Sequence, residues 1–359
     1  MASPTRDPAR FAARLGDAQR LLWIEFGGLG DHLHSLPALW TLRQNCPRAH
    51  ISLLVGAGGA GLFQALAPWI DQVWGYARTG LAADVRWLRL LRAQGFDAGL
   101  QLMQSNRGAA FLALSGARSK LARRNDEHKP WWWQPWAIGH VAVQPYHQFP
   151  MYLQRWRCLR DAGLAGAEPE SLALGAHAQI DPGLRRARGI AADEDRAYLH
   201  LSASATDDLR DLPARQMIEL WEALHAALPA LRFVVSSNDS QRGRDKLQHL
   251  LEGLSFPLWK VFAGNLDVPA FAAVVQGAAL HVGPDSGGLH LARLAGTPSV
   301  SWFRPNAHIK NWFPTEPGHR AFIAPESRGD GLHGLATATL VEAAQELIAG
   351  AKRSSQVGP

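Results

Sequence analysis

Two glycine-containing turns hold the side chains best suited to chemistry. The first lies at residues 26–39, F-G-G-L-G-D-H-L-H-S-L-P-A-L, directly after an apolar run typical of a strand. Asp31 stands at the mouth of this turn, where a carboxylate can accept the proton of an attacking hydroxyl group. Aspartate also commonly caps the helix that follows it, and the turn alone favours that role.

The glycine spacing of this turn argues against a dinucleotide-binding fingerprint. Leu33 occupies the place of the third glycine, and the second strand ends V-G-A at 55–57, without the acidic residue that would bind a ribose. His32 and His34 lack further ligands at metal spacing. The turn therefore predicts neither a nicotinamide enzyme nor a metal site.

The second turn, P-D-S-G-G at 284–288, follows the apolar run A-L-H-V-G and precedes a helical pattern that begins near Leu289. This places Ser286, Gly287 and Gly288 at a helix N-terminus, beside Asp285. Free N–H groups and the helix dipole there favour phosphate. Asp285 can equally cap the helix.

Short apolar runs alternate with helical patterns from one end of the chain to the other, which indicates parallel, doubly wound sheets. Because the series occurs twice, we expect two Rossmann-like α/β domains, with ligands at the carboxyl ends of their strands. We predict a loose N-terminal extension at 1–20, a first domain at 21–175 and a linker rich in Gly, Pro and charge at 176–196. A second domain at 197–335 and a C-terminal helix at 336–350 complete the division.

The net charge of +6 is concentrated in the first half of the chain. Residues 1–175 carry +7 and residues 176–359 carry −1, which favours an anionic partner for the first domain. An excess of surface arginine without function is an equally good interpretation. Two cysteines exclude a disulfide framework, and neither a secretory signal nor a spanning segment is evident, so we expect a cytoplasmic protein.

Several segments together resemble glycosyltransferase family nine, the heptosyltransferases of lipopolysaccharide core assembly. They are the G-L-G-D turn followed by L-P-A-L, then R-Q-N-C-P-R-A-H-I-S-L-L-V, G-F-D-A-G-L-Q-L and D-S-G-G-L-H-L-A-R-L-A-G-T-P-S-V. The resemblance covers almost the whole chain. It implies the GT-B architecture, two Rossmann-like doubly wound parallel-sheet domains that face a central cleft. The first domain would bind the acceptor and the second the nucleotide sugar.

The resemblance assigns roles to individual residues. Asp31 matches the family's proposed general base, which favours catalysis over capping, and Gly30 is placed with the donor-binding residues. Asp285 matches a second acid near the donor, beside Ser286, Gly287 and Gly288. No metal and no cofactor are expected.

A basic residue three positions before a proline normally contacts the donor diphosphate in this family. Here the segment reads S-A-S-A-T-D-D-L-R-D-L-P at 202–213, so Arg210 takes that place and Leu212 replaces the usual tryptophan. Arginine can bind a diphosphate bidentately. The alternatives are an ion pair with its neighbouring aspartates, or phosphate contacts from Ser204 and Thr206.

Two features concern the acceptor side. Arg107 falls where the family often has a basic residue. The run K-P-W-W-W-Q-P-W at 129–136 places tryptophans beside basic residues, which suits a membrane surface, internal packing or contact with a second chain. Further along, N-W-F-P at 311–314 weakly resembles the family's loop that closes the donor pocket.

The resemblance implies an inverting glycosyltransferase that moves heptose from ADP-heptose to the lipopolysaccharide inner core. The partners would be a nucleotide-sugar donor, an anionic lipid-linked saccharide acceptor and, peripherally, the inner face of the cytoplasmic membrane. No nucleic-acid module is recognisable. The alternatives are a family relative with another nucleotide sugar or a protein acceptor, and a non-catalytic sugar-nucleotide-binding or scaffold protein.

Overall fold

The computed structural model describes residues 11–15, 17–127, 133, 137–145, 147–173, 175, 177–190, 197–306 and 308–356. The described residues form two compact units. Unit 1 contains those up to Gln179 together with Lys310–Trp312, and unit 2 contains Ile180–Ile309 and the residues from Phe313 onward.

Unit 1 is built on a parallel sheet of six strands in the order β3-β2-β1-β4-β5-β6. The strands are β1 (Arg20–Glu25), β2 (His50–Gly56), β3 (Gln72–Tyr76), β4 (Ala98–Gln101), β5 (Ser119–Asn125) and β6 (His140–Gln144). The helices are α1 (Leu29–Leu33), α2 (Leu36–Asn45), α3 (Ala60–Leu66), α4 (Leu81–Ala93), α5 (Asn106–Leu114) and α6 (Met151–Asp161).

Unit 2 repeats the same strand order, β9-β8-β7-β10-β11-β12, again with all six strands parallel. The strands are β7 (Tyr198–Ser202), β8 (Arg232–Ser237), β9 (Lys260–Ala263), β10 (Leu280–Pro284), β11 (Ser299–Phe303) and β12 (His319–Ile323), with a small hairpin of β13 (Glu326–Arg328) and β14 (Gly331–His333). The helices are α7 (Gly183–Ala187), α8 (Ala214–Ala227), α9 (Gln241–Gly253), α10 (Val268–Gln276), α11 (Gly287–Ala295) and α12 (Thr337–Gln356).

The central strands of both sheets are apolar and buried along almost their whole length, because helices cover both faces of a doubly wound sheet. In each unit the strand order reverses between the first and fourth strands, at β1 and β4 or at β7 and β10. The crevice beyond the carboxyl ends of such strands is where doubly wound folds bind ligands. The turns after β1 and β10 contain Asp31 and Asp285, so both candidate acids lie at these switch points.

Three of the expected boundaries are wrong. The described end of the N-terminal extension is not loose, because Phe11 and Leu15 are buried and Ala12 N–H donates to Ala162 O at 3.0 Å. Much of the expected linker belongs to unit 2, since it contains α7 and places Ile190 in a buried apolar cluster. Its two isoleucines were hidden by the surrounding Gly, Pro and charged residues. The C-terminal helix continues to Gln356 rather than ending at residue 350.

Candidate functional site

The carboxylate of Asp31 is fixed by two different contacts. Asp31 is the third residue of α1, and its Oδ2 accepts a hydrogen bond from Gly28 N–H at 3.1 Å, which is the half of a capping box that a glycine at the N-cap allows. Its Oδ1 lies 3.2 Å from Nη2 of Arg155 in an ion pair. The side chain keeps a quarter of its surface exposed. Asp31 therefore does cap its helix, and an ionised carboxylate oxygen has lone pairs left for a proton.

Arg155, from α6, lies beneath α1 and is fully buried. Its Nη1 donates to Glu25 Oε1 at 3.1 Å, to Ser35 Oγ and to the main-chain carbonyl of Asp31. One guanidinium therefore joins the end of β1 to both the backbone and the carboxylate of Asp31. We define Glu25, Asp31 and Arg155 as the unit 1 clamp.

Glu25 is the buried counter-charge of this clamp. Its Oε2 accepts hydrogen bonds from Trp23 Nε1 at 2.9 Å and from Ser35 Oγ, and His32 Nδ1 lies 3.4 Å from Oε1. Burial by itself raises the pKa of Glu25, but the charge of Arg155 and the hydrogen bonds outweigh it and lower the pKa to about 2. Glu25 is thus an anion that neutralises Arg155.

Close backbone packing sets the position of the turn. A Cβ atom on Gly27 would lie 2.5 Å from Asp31 Cβ and 2.7 Å from Met103 Sδ, so only glycine fits there. His32 is buried against Phe63 and lies so close to Gly59 that a side chain at 59 would collide with its ring. His32 and His34 are both buried.

Arg107 lies in the first turn of α5, after β4, at the same edge of the sheet. Its Nη1 donates to Tyr76 Oη and lies 3.5 Å from Asp84 Oδ1. The guanidinium also lies 5.7 Å from the Tyr76 ring centroid. A contact with an acceptor would therefore compete with these partners, and the role of Arg107 stays a prediction.

In unit 2 the turn after β10 presents a helix N-terminus. The helix begins at Gly287, two residues earlier than the sequence pattern predicts, with Ser286 as its N-cap. Within the described part of the chain the Ser286 side chain makes no capping hydrogen bond. A Cβ on Gly288 would lie 3.0 Å from the His281 ring, so the glycine lets the first turn pack closely on the sheet. The N–H groups of this turn remain suited to an anion.

Asp285 connects this helix terminus to Arg210. The Asp285 main-chain N–H donates to Trp302 O at 2.9 Å, and its Oδ2 lies 3.5 Å from Nη1 of Arg210. Its Oδ1 lies 3.6 Å from Nε2 of the buried His290. Arg210 is nearly half exposed, so its guanidinium is available to a ligand at the same place.

The acids next to Arg210 in sequence have other partners. Asp211 is buried and pairs with Arg242 Nη2 at 2.6 Å and Lys246 Nζ at 2.8 Å, while its Oδ1 accepts Ala205 N–H. The hydrogen bond from Arg242 lowers the pKa of Asp208. Asp207 caps a short 3-10 helix by accepting from Leu209 N–H. The alternative that these aspartates neutralise Arg210 is therefore wrong.

The other predicted donor residues are Ser204 and Thr206, in the loop after β7, and Gly30, in the Asp31 turn of unit 1. Ser204 is buried, and among the described residues its Oγ has no hydrogen-bond partner; Thr206 is exposed. Leu212, in the place of the family's tryptophan, is fully buried in the core of unit 2. Gly30 is the second residue of α1 and its carbonyl accepts His34 N–H at 3.1 Å, so its donor contact stays a prediction.

A buried histidine pair beneath the α11 turn was not anticipated. His200 on β7 and His281 on β10 have Nδ1 atoms 2.8 Å apart, and His200 Nε2 lies 2.9 Å from Ser236 Oγ. Burial lowers the pKa of both rings, that of His200 to about 3. Both are neutral near pH 7. The signal was a histidine at the same place in two apolar strands.

Two expectations about tryptophan have different outcomes. In the run at 129–136, Trp133 packs against the core of unit 1, while the rest of the run lies outside the described residues. In the segment at 311–314, Trp312 contacts the His34 ring at 5.1 Å, and Asn311 Oδ1 accepts from Gln154 Nε2 at 3.0 Å. These two residues thus belong to unit 1.

No group of three or more His, Cys, Asp or Glu side chains suited to a metal occurs within the described ranges.

Several known proteins are similar to this chain. A family model described as glycosyltransferase family 9 (heptosyltransferase) matches residues 85–328. Lipopolysaccharide heptosyltransferase 3 from Escherichia coli is 23% identical over 296 residues, which cover 78% of this chain and 82% of that protein.

Two solved structures share the fold along nearly the whole chain. A glycosyl transferase family 9 protein from Veillonella parvula has a TM-score of 0.78 at 14% identity and covers 97% of this chain and 100% of its own. The ADP-heptose lipopolysaccharide heptosyltransferase II of E. coli has a TM-score of 0.74 at 17% identity, with coverages of 93% and 100%. At these identities the likeness concerns the fold.

Proposed function

The chain belongs to glycosyltransferase family 9, and we propose that the sugar it transfers is a heptose taken from ADP-heptose. The proposed acceptor is an anionic, lipid-linked saccharide, the inner core of lipopolysaccharide. We place the reaction at the inner face of the cytoplasmic membrane, with the protein bound peripherally. No described helix is long and apolar enough to cross a bilayer.

The observation that carries the proposal is the anion site of unit 2. The first turn of α11 offers free N–H groups and the positive end of the helix dipole. Arg210 lies at the same place through its 3.5 Å contacts with the main chain and carboxylate of Asp285. Such long contacts are weak, so a diphosphate with its higher charge would compete well for the guanidinium. The site suits a leaving group whose charge grows as the sugar departs.

Asp31 supplies the complementary step on unit 1. The acceptor oxygen attacks the anomeric carbon on the face opposite the diphosphate, so the configuration inverts. The new carbon–oxygen bond forms as the bond to the diphosphate oxygen breaks, and ADP leaves with that electron pair. The hydroxyl proton passes to the Asp31 carboxylate. Since Arg155 and Gly28 already orient this carboxylate, little rearrangement is needed before the proton transfer.

The first experiment is calorimetry with ADP, UDP and GDP. We expect ADP to bind most tightly. A preference for another nucleotide would indicate a family relative with a different donor.

The second experiment follows ADP release from ADP-heptose in the presence of an inner-core acceptor, with and without EDTA. We expect turnover in both, because the proposal assigns charge neutralisation to Arg210 and α11. Loss of turnover in EDTA would contradict the proposed independence of metal. Tight ADP binding without turnover on any saccharide or protein acceptor would indicate a non-catalytic binding protein.

A further inference from the structure

We propose that the exposed face of α4 is the surface by which unit 1 docks on an anionic lipid membrane. The inference rests on the proposed function, because a lipid-linked acceptor would be presented at such a surface. It adds the element that makes the contact, and it is independent of the tryptophan run.

The exposed face of α4 is apolar at its beginning. Leu81 is 78% exposed, the largest value among the large hydrophobic residues described, and Val85 is 38% exposed. Together with Ala82 they line a shallow groove that continues to Arg86 and Arg89. At about 100° per residue, these five positions fall within an arc of about 140°, so they form one face. We call it the α4 face.

The opposite side of the helix explains why this face is left uncovered. Ala83 and Leu91 are buried, and Trp87 and Leu88 pack against the core of unit 1. These four residues are the ones by which α4 packs on the core of unit 1. Leu81 and Val85 contribute nothing to that core, although exposed large apolar groups are a solubility cost unless they have a partner.

The charge of the α4 face selects the partner. Arg86 and Arg89 are exposed on it, while Asp84, the one acidic residue in the helix sequence, points away and accepts a hydrogen bond from Tyr76 Oη. Apolar side chains beside cations with no anion among them complement a bilayer with anionic headgroups. A saccharide or a nucleotide alone would leave Leu81 and Val85 without a contact.

The position of α4 in the fold suits an acceptor that lies in the membrane. The helix follows β3, so Leu81 lies toward the carboxyl edge of the parallel sheet. The Asp31 turn follows β1 at the same edge. Asp84 and Arg107 also connect the start of α4 to the turn after β4. Docking through the α4 face would therefore bring lipid headgroups to the edge where the proposed base lies.

The test is co-sedimentation of the full chain with phosphatidylcholine vesicles, with and without phosphatidylglycerol, at low and high salt. The wild type should pellet with the anionic vesicles and release partly at high salt, because salt screens arginine but not apolar contacts. Leu81→Ser combined with Val85→Ser should lower binding about tenfold at both salts. Arg86→Ser with Arg89→Ser should lower it about tenfold at low salt and less at high salt.

Matched controls come from unit 2. Leu251→Ser with Val261→Ser changes two apolar residues of comparable exposure to Val85, and Arg215→Ser with Arg244→Ser removes two exposed arginines. Both controls should bind vesicles like the wild type. The proposal is overturned if the wild type does not prefer anionic vesicles, or if the α4 variants bind as well as the controls. It is equally overturned if sedimentation velocity shows that the α4 variants dissociate a dimer while vesicle binding persists.

Assays of ADP affinity, and of transfer to a deacylated, water-soluble acceptor, separate this proposal from the proposed function. The α4 variants should retain both properties, which also shows that they fold. Vesicle binding by a wild type that transfers no heptose would contradict the proposed function alone. Transfer by a wild type that ignores vesicles would contradict the docking surface and the proposed peripheral location, and would leave the proposed transfer reaction intact.

Discussion

Asp31 caps its helix in a geometry that is compatible with the role of base that we propose for it. Its Oδ2 caps α1 through Gly28 N–H, and its Oδ1 pairs with the buried Arg155. Capping therefore does not argue against catalysis; it orients the carboxylate. The residue types around Asp31 do not reveal this, because the decisive partner lies more than a hundred positions away in sequence.

The first prediction is that Asp31→Asn abolishes heptosyl transfer and leaves ADP affinity within about twofold of the wild type. An amide oxygen can still accept the Gly28 hydrogen bond, but it cannot take up the acceptor proton. Transfer is measured as ADP release and affinity by calorimetry. Wild-type turnover in the variant would show that another group is the base.

The second prediction concerns Arg210, whose guanidinium lies beside the α11 turn. Arg210→Ala should weaken ADP binding by about 1.5–3 kcal/mol, the usual contribution of hydrogen bonds to a charged group. Arg244→Ala is the control, since Arg244 pairs with Asp239 instead. Equal ADP affinity in the two variants would mean that Arg210 serves only as the partner of Asp285.

Arg155 illustrates what single residues conceal. The α6 sequence M-Y-L-Q-R-W-R-C-L-R-D contains three arginines, and residue type alone does not show which of them is buried. Only Arg155 is fully buried; Arg157 and Arg160 lie toward the surface and pair with Glu168. Glu25 was the available signal, because a carboxylate that ends an otherwise apolar strand needs a buried cation.

At the scale of elements, the turn between β1 and α1 depends on the contact of Gly27 with Asp31. We predict that Gly27→Ala lowers the transfer rate about a hundredfold, since its Cβ would displace α1 and a misplacement of about 1 Å can have that effect. ADP affinity, which we assign to unit 2, should be retained.

Gly58→Ala is the matched control for this substitution, because a Cβ at 58 meets no atom within 4 Å. The two variants should have similar melting temperatures if the displacement is local. Equal transfer rates in the two variants would contradict a positional requirement at Asp31.

The strands β7 and β10 are joined by the stacked rings of His200 and His281, 5.0 Å apart. Burial lowers the pKa of both, that of His200 to about 3, whereas an unfolded histidine titrates near 6.5. Below pH 6.5 the unfolded chain takes up protons that the folded unit does not. We therefore predict that the two histidines do not lower the free energy of unfolding above pH 6.5. Below that pH the free energy of unfolding should decrease toward pH 3, by about 1.4 kcal/mol per pH unit for each histidine.

Urea unfolding from pH 4 to 7 measures this slope. His200→Gln and His281→Gln should each reduce the slope by about 1.4 kcal/mol per pH unit, which corresponds to one proton fewer taken up on unfolding. His249→Gln removes an exposed histidine of α9 and controls for the loss of an imidazole elsewhere. An unchanged slope in both pair variants would contradict the linkage.

Apolar patterning predicted eight strands, β1 to β4, β7, β8, β10 and β11, but none of β5, β6, β9 and β12. The runs that became β1, β2, β7, β8, β10 and β11 are all nearly continuous and apolar. β5 reads S-K-L-A-R-R-N and was missed, because Lys120 and Arg123 do not resemble residues of an inner strand. The charged groups of both side chains form hydrogen bonds with residues of other elements: Lys120 donates to Ala113 O, and Arg123 donates to Gln154 Oε1. Such partners are not readable from local sequence.

For the molecule as a whole, the two units should respond differently to ligand. We predict that ADP slows amide hydrogen exchange in residues 203–211 and 285–290 of unit 2. These loops contain Ser204, Arg210 and the α11 turn, and binding a ligand to the folded state raises the free energy of local opening. Mass spectrometry of peptic fragments gives the measurement. Slower exchange confined to unit 1 would indicate that ADP binds there, and would contradict the proposal that unit 2 binds the nucleotide.

Unit 1 has a gap in its own sequence: it ends at Gln179 and then regains Lys310–Trp312 from within the segment that otherwise builds unit 2. Two of those three residues are integral to it, because Asn311 is fully buried against Gln154 and Trp312 packs on His34. A gene fragment cut at residue 179 therefore encodes an incomplete unit 1, with a buried amide and a histidine deprived of their neighbours. Recombination at residue 179 between family members would exchange unit 1 except for its last three residues. Exchange of the whole unit therefore needs two crossovers more than a single cut between domains.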